Sequence, residues 1–300
     1  MVLLLLTACA ADPWIEVMAF GDNPGALRGF EYVPDTVRDV PALVLFLHGC
    51  SQDHTAAAAS GLIERADDLG FVVLAAEQSV LNNGSLCFNW FNAEDTTRDA
   101  GEAESLHQMV DVVAERHATD AVFVVGMSAG AAMGVAMLAD YPEVFRAGAS
   151  MAGGPFGCAH TALDAAGCMA GDTEMSRSDL GDAVRAASDS ANREGDAWPG
   201  LVIMQGSDDM VVDPKNADLL FQQWLDVHGG AADDTAKEDD GADTKYVVDV
   251  EELIFPGLGH ALPVQPDGCG EVGPFAVDIG FCAMEFVVGY FSAFADALRE

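Results

Sequence analysis

Val122-Phe123-Val124-Val125-Gly126-Met127-Ser128-Ala129-Gly130 is the stretch that decides the fold. Its β-branched and aromatic start reads as a buried strand. The strand runs into G-x-S-x-G, and an Ala- and Met-rich helix follows over residues 129–141 until Pro142 stops it. Strand, sharp turn and helix in that order are the sequence form of a nucleophile elbow. The turn forces Ser128 into a strained backbone conformation, and a side chain at Gly126 or Gly130 would collide with the neighbouring strand and helix. The five-residue motif is weak when it stands alone, and its flanks give it weight here. A serine nucleophile is therefore expected at this turn.

Working outward, Leu43-Val44-Leu45-Phe46-Leu47 and Phe71-Val72-Val73-Leu74-Ala75-Ala76 are continuous apolar runs, as strands buried on both faces require. Residues 55–69 between them have helical spacing and end at Gly70. This β-α-β order implies a parallel sheet. Residues 104–117 read as an amphipathic helix with Leu106, Met109, Val110 and Val113 on one face. Residues 145–151, 201–205 and 246–255 read as strands and 278–299 as a closing helix. The polar segment 153–199 is expected to be a helical excursion across the C-terminal edge of the sheet, bordering a substrate cleft. The low-complexity acidic insertion at 229–244 is expected to be a solvated loop without chemistry. With no linker and no repeat, residues 21–300 read as a single α/β domain, a central mostly parallel sheet flanked by helices.

A serine nucleophile needs an imidazole to take its proton and a carboxylate to fix the tautomer of that imidazole. In α/β-hydrolases the acid and the histidine follow the serine in chain order, each on a loop after a later strand. Gly206-Ser207-Asp208-Asp209 follows one such strand, and Pro256-Gly257-Leu258-Gly259-His260 follows another. His260 is the expected base. Asp208, Asp209 and Asp213 remain alternatives on spacing alone. The oxyanion hole needs two backbone N–H groups. Ala129 is expected to supply one, and Cys50 or Ser51 the other. His48 precedes the serine and reads as a structural hydrogen-bonding residue.

Of 300 residues, 50% are hydrophobic, and 49 acidic against 13 basic residues give a net charge of −36. Such a surface repels nucleic-acid phosphates and anionic lipid headgroups, which excludes both as partners. The N-terminal run Leu3-Leu4-Leu5-Leu6-Thr7-Ala8-Cys9 resembles a bacterial lipobox, so residues 1–20 are expected to be a signal remnant and N-terminal segment, with Cys9 the lipidated residue. The run is short and lacks a basic n-region, as a truncated leader would. An extracytoplasmic protein is expected, secreted or lipid-anchored, with no membrane contact except through Cys9. Setting Cys9 aside leaves Cys50, Cys87, Cys158, Cys168, Cys269 and Cys282, an even set that favours disulfides in an exported chain. Sequence leaves their connectivity open; the preferred set is Cys50–Cys87, Cys158–Cys168 and Cys269–Cys282. No C-x-x-C pair or His-rich spacing supports a zinc site, so no metal is expected.

Taken together, Leu47-His48-Gly49-Cys50-Ser51-Gln52, Cys87-Phe88-Asn89-Trp90-Phe91, Gly126-Met127-Ser128-Ala129-Gly130, Gly206-Ser207-Asp208-Asp209 with residues 212–216, and Gly257-Leu258-Gly259-His260-Ala261 resemble the polyhydroxybutyrate depolymerase and feruloyl esterase group of α/β-hydrolases. The resemblance spans about residues 25–290. It implies Asp209 as the acid, a Cys50–Cys87 bridge, and Trp90, with Phe91 and Met127, beside the cleft. It implies an exported serine esterase without cofactor that cleaves a small or polymeric ester. The leading substrate is a polyester and the runner-up a feruloyl or acetyl ester on plant polysaccharide. A non-catalytic lipoprotein of the same fold is the reading from another class. Ala261-Leu262-Pro263 departs from the bulky residue that family members often carry soon after the histidine, which bears on the shape of the leaving-group side.

The excess of carboxylates predicts adaptation to a salty medium, where screening removes self-repulsion. The melting temperature is expected to be higher in molar salt than in low salt, and equal values would sink the idea.

Overall fold

Continuous apolar runs can be buried only between two layers of helix, and the computed structural model builds them into the middle of a ten-stranded sheet. It describes residues 13–188, 198–230, 236–239, 242–247 and 249–299. Cys9 and the rest of the lipobox-like run lie outside the described residues.

In chain order the strands are β1 (Ile15–Glu16), β2 (Arg28–Tyr32), β3 (Leu43–Leu47), β4 (Val72–Glu77), β5 (Val122–Met127), β6 (Phe145–Met151), β7 (Gly200–Gly206), β8 (Ala236–Asp239), β9 (Asp243–Val247), β10 (Val250–Phe255), β11 (Leu262–Val264) and β12 (Ala276–Asp278). The helices are α1 (Ala56–Ala59), α2 (Leu62–Leu69), α3 (Gly101–His117), α4 (Ala129–Asp140), α5 (Ala165–Met169), α6 (Arg177–Ala187), α7 (Lys215–Val227) and α8 (Ala283–Phe291). The sheet order is β1-β2-β4-β3-β5-β6-β7-β10-β9-β8. From β4 to β10 every neighbouring pair is parallel, while β1, β2, β9 and β8 add antiparallel margins. One face is covered by α3, α4, α6 and α7, whose Leu106, Met133, Leu220 and Trp224 join the core there, and the other by α1, α2 and α8. This is the α/β-hydrolase architecture expected from the sequence.

Four elements differ from expectation. Residues 55–69 are two helices, because Gly61 adopts φ 92° and breaks the run. Residues 246–255 are two antiparallel strands joined at a turn, so β9 reverses what reads as one strand. Part of the acidic insertion is sheet: β8 and the start of β9 form a hairpin on the sheet margin, with Thr244 buried. Composition hid this, because the run of Asp, Glu, Gly and Ala residues shows no apolar alternation, although Thr244 and Val247 are buried. The closing helix is confined to Ala283–Phe291, followed by a 3₁₀ turn at Asp296–Leu298. Among the described residues no helix is long and apolar enough to cross a membrane.

At the end of α4, Asp140 is fully buried and neither carboxyl oxygen has a hydrogen-bond partner. Burial pushes its pKa up to about 8, against the pull of Arg98 and with a small push from Asp99. A carboxyl held neutral in the folded state contributes stability below its unfolded pKa of about 4, and that contribution is lost as pH rises toward the folded value. Asp140→Asn is therefore expected to melt near the parent at pH 4 and clearly above it at pH 8.5, the gap widening as pH rises. A gap that does not grow between pH 4 and pH 8.5 would contradict the assignment.

Candidate active site

Ser128 occupies the turn between β5 and α4 at φ 54° and ψ −119°, a region that side chains rarely adopt. Its N–H donates to Met151 O at 2.8 Å, which ties the turn to the end of β6. Backbone packs on backbone here. A Cβ on Gly126 would lie 2.2 Å from Gly130 O, and one on Gly130 would lie 2.1 Å from Leu47 O. The elbow can close only because both positions lack side chains.

The loops after β7 and β10 bring the acid and base to this turn. His260 Nε2 lies 2.9 Å from Ser128 Oγ, and His260 Nδ1 lies 2.7 Å from Asp209 Oδ2. The two loops are joined by Ser207 N–H to Phe255 O, Asp208 N–H to Leu258 O and Gly257 N–H to Ser207 Oγ. Asp209 Oδ1 accepts N–H groups from Val211 and Val212, and Oδ2 also accepts from Gln205 Nε2 at 2.9 Å. Burial alone would raise the pKa of Asp209, but the hydrogen bonds from His260, Val212 and Val211 outweigh it and hold the carboxyl below its usual range. Asp208 bonds to Ser207, and Asp213 caps the N–H of Lys215. Of the three acids left open by spacing, Asp209 alone reaches the imidazole.

The turn after β3 lies against the same site. Ser51, at φ 65°, spends its N–H on Ser85 O at 2.9 Å, so it is not an available donor. The N–H groups of Cys50 and Ala129 have no acceptor among the described residues, and both residues line the cleft. The expectation of Cys50 or Ser51 thus narrows to Cys50. Gln52 Oε1 accepts Gly49 N–H at 2.8 Å and fixes the turn. Beneath it, buried His48 lies with Nδ1 2.7 Å from Gly49 O, while Nε2 accepts Gln78 N–H at 3.1 Å. That pattern requires a neutral ring protonated on Nδ1, in keeping with burial lowering its pKa.

The cleft has a volume of about 210 Å³. Trp90 and Met127 line it as expected, together with Met169, Val212 and Phe275. Phe91 is not among the lining residues; it packs edge-on against Trp90, with centroids 5.6 Å apart. The aromatic that the sequence reading missed is Phe275, which arrives from a loop with no motif. Gln205, Gln52 and Glu102 were also missed. Glu102 is fully buried and accepts hydrogen bonds from Gln78 Nε2, Asn82 Nδ2 and Asn89 N–H, anchoring the segment that carries Trp90; burial pushes its pKa up to about 8 against those donors.

The six described cysteines pair as Cys50–Cys87, Cys158–Cys168 and Cys269–Cys282, the preferred set. Asp53, His54 and Glu77 place possible ligand atoms within 4.8 Å of one another. Glu77 accepts from Arg28 and pairs with His54 Nδ1, and Asp53 Oδ1 accepts from the N–H and hydroxyl of Thr55.

The family model described as Esterase PHB depolymerase matches residues 30–248. Poly(3-hydroxyalkanoate) depolymerase C of Paucimonas lemoignei is 33% identical over 97% of this chain and 72% of its own length. An acetylxylan esterase of Coprinopsis cinerea is 30% identical over 83% of this chain and 69% of its own. Among solved structures, an acetyl xylan esterase from Aspergillus awamori superposes with a TM-score of 0.76 at 24% identity, covering 85% of this chain and 96% of that one. That superposition is a likeness of fold.

The packing of the elbow predicts that Gly130→Ala pushes α4 away from β3, since its Cβ would sit 2.1 Å from Leu47 O and 2.5 Å from His48 O. Thermal melts are expected to show a loss of at least about 2 kcal/mol, and parental stability would contradict this account of the turn.

Proposed function

This chain belongs to the esterase PHB depolymerase family and is a carboxylic ester hydrolase, and we propose that it cleaves polyester chains of the polyhydroxybutyrate type through an acyl-enzyme on Ser128. Ser128 Oγ attacks the ester carbonyl while His260 Nε2 takes its proton across the 2.9 Å contact. The new oxyanion is received by the N–H groups of Ala129 and Cys50. His260 then hands the proton to the leaving alkoxide, and the alcohol departs. Water attacks the acyl-serine with His260 as base, releasing the carboxylic acid and restoring Ser128. Asp209 holds Nδ1–H throughout and stabilises the imidazolium. Imidazole carries the proton transfers and backbone N–H groups stabilise the oxyanion, so the cycle calls for no cofactor.

The observation that carries the polyester reading is the character of the cleft and its mouth. Its walls are largely apolar, and Val211 and Phe275, which line it, are 54% and 37% exposed. Such a rim suits a water-poor ester chain. The similarity to the Paucimonas depolymerase over nearly the whole chain supports the same substrate. A feruloyl or acetyl ester on plant polysaccharide is the second reading, favoured by the similarity to acetylxylan esterase. A sugar chain needs several polar partners, and of the polar lining side chains Gln52 Oε1 and Asn216 Nδ2 are engaged with backbone groups, which leaves Asn216 Oδ1 without a partner among the described residues. Three disulfides fit folding in an oxidising compartment outside the cytoplasm. Cys9 is the proposed site of a lipid anchor.

With p-nitrophenyl butyrate, Ser128→Ala is expected to lower kcat by at least about 10⁴-fold, and Asp209→Asn by on the order of 10⁴-fold with little change in KM. Equal turnover by parent and Ser128→Ala would overturn the enzyme reading. On substrates, faster release from polyhydroxybutyrate film than from methyl ferulate or acetylated xylan is expected; the reverse ranking favours the polysaccharide ester.

A further inference from the structure

The oxyanion donor at Cys50 and the carbonyl of Gly49 belong to one planar peptide unit, so whatever holds that carbonyl also aims the N–H. His48 Nδ1–H donates to Gly49 O at 2.7 Å, and Gln78 N–H donates to His48 Nε2 at 3.1 Å. The held peptide sits against the nucleophile, since a Cβ on Gly49 would lie 3.5 Å from Ser128 Cβ. Gln78 is itself clamped. Its Nε2 donates to Glu102 Oε1 at 2.6 Å and to Cys87 O at 3.0 Å, while its Oε1 accepts from Ser79 N–H and Asn82 Nδ2.

We propose that Glu102, the second residue of α3, is a positioning residue for the oxyanion donor of Cys50, acting through Gln78 and His48. The inference rests on the ester-hydrolase reading of Ser128. Two routes run from the carboxyl to Cys50. One passes along Gln78 and the His48 ring to Gly49 O. The other passes from Gln78 Nε2 to Cys87 O and through the Cys50–Cys87 disulfide. Both start at Glu102 Oε1, where Asn82 Nδ2 is a further donor at 2.9 Å. The other oxygen, Oε2, accepts Asn89 N–H at 2.8 Å, next to Trp90 in the chain.

Every side chain on the first route is buried: Glu102 and His48 are 0% exposed and Gln78 is 2% exposed, so bulk water does not stand in for a lost partner. Removing the carboxyl takes an acceptor from all three donors and frees Gln78 to shift, and the His48 ring with it. An oxyanion donor works only where the tetrahedral oxygen forms. A displaced Cys50 N–H therefore costs transition-state stabilisation and leaves the ground-state ester bound as before. A carboxyl that only held Trp90 would act on substrate binding instead.

The experiment follows p-nitrophenyl butyrate hydrolysis, normalised to the Ser128 sites titrated with a phosphonate ester, beside inhibition by an alkyl trifluoromethyl ketone. Ser128 Oγ adds to the carbonyl carbon of that ketone, His260 takes the proton, and the C=O electron pair becomes an oxyanion facing Ala129 and Cys50. Glu102→Met is expected to lower kcat by about 10- to 100-fold with KM within about twofold. The Ki of the ketone should rise by the same factor as kcat/KM falls. Glu102→Gln keeps one oxygen for Gln78 and Asn82 and is expected to recover most of the loss. Should Glu102→Met fail to fold, Asn82→Ala at an exposed position takes one donor each from Glu102 Oε1 and Gln78 Oε1. Its kcat should then fall and its Ki rise together by about threefold. Unchanged kcat and Ki in the folded variants, or a rise in KM alone, overturns the proposal. Failure of the parent to hydrolyse any ester would instead defeat the function proposed for Ser128.

Discussion

The close approach of α4 to the end of β3, with Gly130 against the carbonyl of Leu47, is the contact on which the rest of the molecule depends. Only two backbones without intervening side chains can come so near. That approach bends the chain sharply enough to put Ser128 at φ 54°, and the hydrogen bond from Ser128 N–H to Met151 O holds the strained residue there. The same geometry leaves the N–H of Ala129, which starts α4 and lines the cleft, without an acceptor among the described residues. Presentation of the hydroxyl and of one oxyanion donor are therefore one structural event. The parallel sheet supplies the counterweight, since its strands are buried between helices on both faces and cannot yield to the strain.

Around that turn, carboxylates are used in two opposite ways. A surface with a net charge of −36 keeps most acids in water, where screening governs them. Five described acids are instead buried, Glu31, Glu102, Asp140, Asp209 and Glu252, and three of them show the contrast. Asp209 is held ionised by donors from His260 and two backbone amides, as an acceptor for an imidazole must be. Glu102 anchors the Trp90 segment through three donors, and Asp140 has no donor among the described residues. Burial raises the latter two, while the donors to Asp209 overcome the same effect. The difference lies in the number and placement of N–H groups, which is fixed by loop geometry.

Much of the fold was legible because parallel strands and amphipathic helices are written in local periodicity. β3 and β6 were read with the boundaries they have, and the strand leading to Ser128 needed no partner to be recognised. The readings that failed did so where a turn interrupts a composition. Gly61 breaks a run of helix formers, and the reversal between β9 and β10 carries no strong turn signal. The acidic, low-complexity composition concealed β8 and the start of β9 in what reads as a solvated loop.

By itself the sequence determined the elbow, the chain order in which a histidine and an acid must follow it, and an even set of six cysteines. These are properties of neighbours in the chain, set by sterics and strand and helix period. Spacing left Asp208, Asp209 and Asp213 open, the family resemblance pointed to Asp209, and the tertiary structure brings Asp209 to His260; the tertiary structure alone decided that Cys50 rather than Ser51 has an N–H without an acceptor among the described residues, and that Phe275 rather than Phe91 lines the cleft. Each of those outcomes turns on a hydrogen bond or contact between distant segments. His260 lies 51 residues from its acid and 132 from its serine. No local pattern encodes which lone pair or which N–H is already taken, because the competing partner belongs to another strand's loop.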